Sequence, residues 1–250
     1  MLTADSLLAW LRQEHPGLAQ AAEDAFRPAP HPLDDSVFGC SISLIGTATL
    51  LDAFPDRLLS ASMARAVPKR RRSFVAGRLC AERALELLGT AAGVARGSGG
   101  EPLWPAGIDG SITHSQVAAY AAVRRSAAGF GLGIDSEMAV GPEARSAVEQ
   151  LCCTVWERGQ WITAADDGLS LALLFSAKEA LYKAIYPRLK RYVDFLEVEV
   201  RSVDWQLGTL LLRPISGLAL AQSMPAATGR FCVDAGTVHT SVVIPDAQRR

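Results

Sequence analysis

Two acids interrupt an apolar run near the middle of the chain. In GLGIDSEM, residues 131–138, Asp135 and Glu137 stand two apart behind Gly131 and Gly133. Alternate side chains of a strand share a face, so both carboxylates point one way while Ile134 and Ser136 point the other. Like charges at that range raise each other's pKa and repel unless a cation lies between them, and a divalent metal with oxygen ligands supplies one. A solvated strand edge would carry the same two acids with no ligand at all. A third carboxylate comes from FSAKEALYKA, where Glu179 and Lys183 are four apart on one helix face and Lys178 lies on the flank. An ordinary surface ion pair would look alike, but Leu171, Leu173, Leu174, Phe175, Leu181 and Ile185 give this charged face buried surroundings.

His114, in GSITHS, ends a short strand beside a turn, where it either reaches into a cleft or serves the structure alone. In the basic run Lys69-Arg70-Arg71-Arg72, Arg70 is eight residues, about two helical turns, before Arg78, so the two share a face and could hold a phosphate. Cations at a helix N-terminus oppose the macrodipole unless an anion compensates. Together, three carboxylates, a histidine, two lysines and paired arginines match a metal-bound diphosphate with a further phosphate nearby.

The elements that must hold these residues follow from periodicity. Residues 1–27 read as helical, with Leu7, Leu8, Trp10 and Leu11 on one face, up to a Pro-rich break at 27–35. VFGCSISLIG reads as a strand, residues 68–89 as a helix stopped by Gly89, and residues 90–107 as a loop. GSITHS, VAAYAAVRR and FGLGIDSE read as an antiparallel hairpin or meander with a turn around residues 126–129. A polar helical region, 141–166, leads to a helix ending near Pro187, and four strands follow: VEVRSVDW, TLLLRPI, RFCVDAG and VHTSVVIP. The expected class is α+β. FVAGRLCAERAL and FSAKEALYKAI are both Phe-led helices with charges three or four places later, an echo that fits two similar halves with a ligand at their junction.

At 250 residues, 49% hydrophobic and 20% charged, with a formal net charge of -1, the chain reads as globular, one large or two fused small domains. That balance argues against a nucleic-acid partner. The N-terminus lacks a positively charged leader region and no apolar run approaches the roughly 20 residues of a membrane span, so a cytoplasmic protein with no membrane partner is expected. Five scattered cysteines (Cys40, Cys80, Cys152, Cys153, Cys232) show no CxxC spacing, which argues against a disulfide framework and a zinc site.

Four segments in this order, KRRRSFVAGRLCAERAL (69–85), GEPLWPAGIDGSITHS (100–115), GLGIDSE (131–137) and FSAKEALYKAIYP (175–187), resemble the surfactin-type 4′-phosphopantetheinyl transferases, most closely the bacterial branch with the enterobactin-type enzymes. The resemblance spans about half the chain, roughly residues 69–187. It implies two α/β halves related by a pseudo-twofold axis, 1–115 with the basic helix and histidine loop and 116–250 with the metal strand and helix, and coenzyme A bound between them. It also implies transfer of 4′-phosphopantetheine from coenzyme A to a serine of an apo acyl or peptidyl carrier protein, with release of 3′,5′-ADP. Such carriers serve fatty acid, polyketide, nonribosomal peptide or siderophore synthesis.

Carried over by position, Asp135, Glu137 and Glu179 would hold Mg²⁺, or Mn²⁺ in its place, and Glu179, His114 and Lys183 would form the catalytic set. Arg70, Arg78, Thr113 and His114 would surround the 3′-phosphoadenosine end, Glu101 and Pro102 would line the adenine side, and Lys183 would contact the diphosphate with Lys178 close by. Many relatives carry a lysine just before the Gly-Glu-Pro segment; Gly99 stands there in this chain, so that contact would be either missing or supplied by Arg96. The carrier would dock beside residues 141–166, and duplicated halves in one chain would make a monomer. Two readings compete: a metal-dependent nuclease, which also places carboxylates on a strand and a helix, and a catalytically silent coenzyme A or carrier scaffold.

Overall fold

A computed structural model describes residues 6–126, 131–162, 168–222, 224 and 226–244. The chain divides into two units, Met1–Ala29 with Asp34–Ser126, and Pro30–Leu33 with Ala127–Arg250.

The first unit opens on helices α1 (Leu7–Glu14) and α2 (Pro16–Ala25), where one helix was expected up to residue 27. The division falls at Pro16, whose missing N–H cannot continue a helix but suits the first position of a new one. Strands β1 (Arg27–Pro28) and β2 (Val37–Ser43), short helices α3 (Ala48–Asp52) and α4 (Ala61–Ala64), and the long α5 (Pro68–Leu87) follow. Gly89 adopts φ 81°, which lets the Thr90 N–H close on the Leu85 carbonyl at 2.8 Å, the glycine stop read from the sequence. The expected loop at 90–107 contains a small hairpin, β3 (Ala95–Arg96) with β4 (Pro102–Leu103). Strands β5 (Ile108–His114) and β6 (Ala118–Arg125) complete an antiparallel sheet ordered β1-β2-β6-β5. Helix α5 packs on it through Val75, Leu79 and Leu85, all fully buried.

The second unit starts with β7 (Gly131–Met138). Helices α6 (Pro142–Cys152) and α7 (Val155–Trp161) divide the expected helical region at Thr154, whose hydroxyl and Glu157 form a capping box. Residues 127–129 of the expected turn and 163–166 of the expected helical region lie outside the described residues. Helix α8 (Leu169–Leu189) ends near Pro187 as expected, two residues beyond it, because a proline in the last turn removes one donor while Lys190, at φ 49°, still closes its N–H on the Tyr186 carbonyl. Strands β8 (Val198–Asp204), β9 (Thr209–Pro214), β10 (Ala227–Asp234) and β11 (Thr237–Ile244) join β7 in an antiparallel sheet ordered β7-β11-β10-β9-β8. Thus β7 does not extend the β5–β6 hairpin into a meander. It pairs with β11, from Thr237 opposite Met138 to Ile244 opposite Gly131.

Helix, loop and antiparallel sheet in both units make the protein α+β. Four cysteines are buried, Cys232 is half-buried, and all five are free thiols. Among the described residues no helix is long and apolar enough to cross a membrane.

Candidate active site

The glycines ahead of Asp135 bring β7 against α8. A Cβ on Gly131 would lie 1.8 Å from the Ala184 carbonyl oxygen, and one on Gly133 would lie 1.8 Å from that of Ala180. Only hydrogen side chains permit this contact, and Ala180 and Ala184 keep the helix surface equally low. Glu179 and Lys183 flank those alanines and face the acids of β7.

On that face the Lys183 ammonium donates to Asp135 Oδ1 at 2.6 Å and to the Ile134 carbonyl at 3.3 Å. Asp135 is almost fully buried, whereas Glu137 and Glu179 are half-buried. Burial, then the charge of Asp135, push the Glu137 carboxyl up to about 7; Lys183 opposes the shift and Glu179 adds to it. Burial raises Glu179 as well, against Lys183. One ammonium among three coupled carboxylates leaves excess negative charge in a partly desolvated place. Among the described residues, no three His, Cys, Asp or Glu side chains converge closely enough to hold a metal ion in this arrangement, in which Lys183 caps Asp135. The donor chemistry fits a hard divalent cation, since all three groups offer carboxylate oxygen and the raised Glu137 is an acid that a cation would return to its ionised form.

Lys178 is placed elsewhere. Its ammonium is fully buried, 2.7 Å from Glu157 Oε2, and donates also to the carbonyls of Cys152 at 2.6 Å and Phe195 at 3.1 Å. Glu157 in turn accepts from the backbone N–H groups of Val200 and Thr154. All three ammonium hydrogens have protein acceptors, so in this conformation none faces a diphosphate. A small cavity beside Glu179 is walled by Leu181, Tyr182, Ile185, Tyr192, Val193 and Phe195, all in this unit.

In the first unit, the run of arginines separates by partner. Arg71 pairs with Asp56 and the Phe54 carbonyl, and Arg72 forks onto Asp52. Arg70 is exposed and shares a groove with Ser62, Met63, Ala66, Val67 and Arg96. Arg78 lies over the Phe74 ring at 4.8 Å, is only 6% exposed, and leaves its Nε without a hydrogen-bond partner. Burial lowers it to about 10, with Glu82 opposing and Arg96 reinforcing the shift. A buried guanidinium with an unmatched donor beside further arginines is a place for an anion. Thr113 is buried and His114 exposed at the end of β5, while Glu101 sits in the turn before β4 with Pro102 at its start.

Three residues that the sequence did not single out adjoin the acids. His31, Ser136 and His239 form a buried hydrogen-bonded chain in the second unit, Ser136 Oγ lying 3.0 Å from His31 Nε2 and 2.9 Å from His239 Nδ1. Ser136 and His239 are direct cross-strand partners, a relation that only the β7–β11 register creates.

Strand and helix acids facing one lysine in the second unit are suited to work on anionic groups, and so, separately, is the buried Arg78 of the first unit. A family model described as the 4′-phosphopantetheinyl transferase N-terminal domain matches residues 57–124, and one for the 4′-phosphopantetheinyl transferase superfamily matches residues 131–228. The chain is 35% identical over 205 residues to 4′-phosphopantetheinyl transferase Svp of Streptomyces mobaraensis, covering 76% of this chain and 78% of that one. It is 35% identical over 192 residues to 4′-phosphopantetheinyl transferase PptT of Mycobacterium tuberculosis, covering 73% and 82%. With enterobactin synthase component D of Salmonella typhimurium it shares 35% identity over 136 residues, 54% of each chain. The chain therefore belongs to the 4′-phosphopantetheinyl transferase superfamily, whose members use coenzyme A and act on carrier proteins. It is an enzyme, and the nuclease reading falls away.

Proposed function

We propose that the protein moves the 4′-phosphopantetheine arm of coenzyme A onto a serine of an apo acyl or peptidyl carrier protein, with a divalent cation, Mg²⁺ or Mn²⁺, and releases 3′,5′-ADP. The observation that carries this reading is the coupled trio Asp135, Glu137 and Glu179 around Lys183, with Glu137 raised to about 7. The cation, held by those three carboxylates, would neutralise the diphosphate and the charge that develops on the leaving group.

The serine oxygen attacks the phosphorus next to the pantetheine arm. The bond from that phosphorus to the bridging oxygen breaks, and 3′,5′-ADP leaves with the electron pair. Glu179, half-buried on α8 among the acids, takes the serine proton as the general base, directly or through a water. Lys183, whose ammonium reaches Asp135 Oδ1 at 2.6 Å, would contact the diphosphate. Arg78, Arg70 and His114 hold the 3′-phosphoadenosine end with Thr113 beside them; Arg96 stands in for the lysine that Gly99 replaces, and Glu101 and Pro102 line the adenine.

Intact-mass spectrometry of an apo carrier incubated with the enzyme, coenzyme A and Mg²⁺ tests the reading. The carrier gains one phosphopantetheine, the gain disappears with EDTA, and Glu179→Gln slows it by at least ~100-fold. A full gain in EDTA, or an unaffected Glu179→Gln enzyme, would remove the cation or the base from the scheme.

A further inference from the structure

Residues 30–33 leave the first unit's sequence run and belong to the second unit, where they form a strap on the Ser136 side of β7. Two carbonyls anchor it: Cys232 Sγ donates to Pro30 O at 3.1 Å, and Ser241 Oγ donates to Pro32 O at 2.7 Å. Between them, the His31 side chain runs to β7 and is 4% exposed. Its Nε2 lies 3.1 Å from the backbone carbonyl of Asp135 and 3.0 Å from Ser136 Oγ. A carbonyl only accepts, so Nε2 carries the proton and shares it between both oxygens, while the Ser136 hydroxyl hydrogen is left to point at His239 Nδ1.

This contact falls at the outer edge of the sheet, on the strand that carries the acids. Among the described residues strand β7 is the edge of its sheet, with β11 as its ladder neighbour. The carboxylate of Asp135 points to α8, so the orientation of its own peptide governs where that carboxylate lies. The strap is already secured by Cys232 and Ser241, and its imidazole adds contacts to the Asp135 carbonyl and to Ser136 Oγ.

We propose that His31 is a positioning residue for the cation site, holding the Asp135 peptide from behind through Nε2–H and the Ser136–His239 relay. The inference rests on the cation reading above. Groups that orient a metal ligand in this way typically change metal affinity by about 10- to 100-fold when removed.

The test is a Mn²⁺ titration of the full chain with coenzyme A present, free Mn²⁺ being followed by electron paramagnetic resonance, for wild type, His31→Leu and His31→Gln. Leucine fills the space without a donor, whereas the glutamine amide restores an N–H near Nε2. The expected result is roughly tenfold weaker Mn²⁺ binding for His31→Leu and recovery to within about threefold of wild type for His31→Gln. Equal binding by all three proteins, or equal loss in both variants, overturns the role. If His31→Leu does not fold, Ser136→Ala, which releases the imidazole from its second anchor, takes its place: weakened binding supports the role and unchanged binding overturns it. Absence of Mn²⁺ binding by wild type would instead sink the cation reading itself, which keeps the two failures distinct.

Discussion

Two lysines five residues apart on one helix have different surroundings. Lys178 and Glu157 are a buried pair, 1% and 0% exposed at their side chains, with their other hydrogen-bonding positions met by backbone groups. Removing one member of such a pair strands the other charge, at a cost of about 3–5 kcal/mol. Lys178→Met should therefore lower stability by that amount in urea denaturation, and adding Glu157→Gln should recover much of it. Lys183 is 26% exposed and faces the carboxylates. Lys183→Met should instead weaken coenzyme A binding in calorimetry by at least ~10-fold. The opposite pattern would return Lys178 to the diphosphate. In the sequence the pair at 178 and 183 carried no sign of this difference, because Glu157 reaches Lys178 only through the packing of α7 beside α8.

At the scale of elements, the glycines of β7 and the alanines of α8 set how near the acids come to Lys183. Substituting Gly133 with alanine puts a Cβ where the Ala180 carbonyl oxygen already stands, a backbone conflict that no rotamer relieves. Gly133→Ala should cost at least ~3 kcal/mol in urea unfolding, at the upper end of overpacking effects. A loss below 1 kcal/mol would show that strand and helix separate easily and that this contact does not set the site. The acids, their shared face and the two long helices were legible because they depend on local period: two for Asp135 and Glu137, 3.6 for α5 and α8. What stayed hidden depends on pairing over distance. Strand β7 reads as the third strand of a meander until its partner β11, about a hundred residues later, is known. The same register brings His239 to Ser136, and the strap brings His31 to both, with no periodic signal at any of the three.

At the scale of the molecule, each unit has its own core, and its buried acids and bases give it its own response to pH. In the first unit Glu82 is 2% exposed and accepts from Ser6 Oγ and the N–H groups of Leu7 and Leu8, fastening the start of α1 to α5. Burial pushes its carboxyl up to about 7, against those three hydrogen bonds. Between the ordinary value near 4.5 and pH 7 the folded unit then binds more protons than the unfolded chain, so stability from this group is complete below 4.5 and lost as pH rises through 7. The second unit contains the opposite case: burial, then the charge of His239, lower His31 to about 3, so its contribution is present above the ordinary 6.5 and lost as pH falls toward 3. Glu137, raised in that same unit, works against His31, which makes the first unit the cleaner test. Native-state hydrogen exchange in α5, corrected for intrinsic rates, should show protection falling by up to about 3 kcal/mol from pH 5 to pH 8 in the wild type and staying level in Glu82→Gln. Unchanged protection in the wild type would mean that the three donors keep Glu82 ionised in the fold, and that α1 is fastened by a buried carboxylate rather than by a neutral acid.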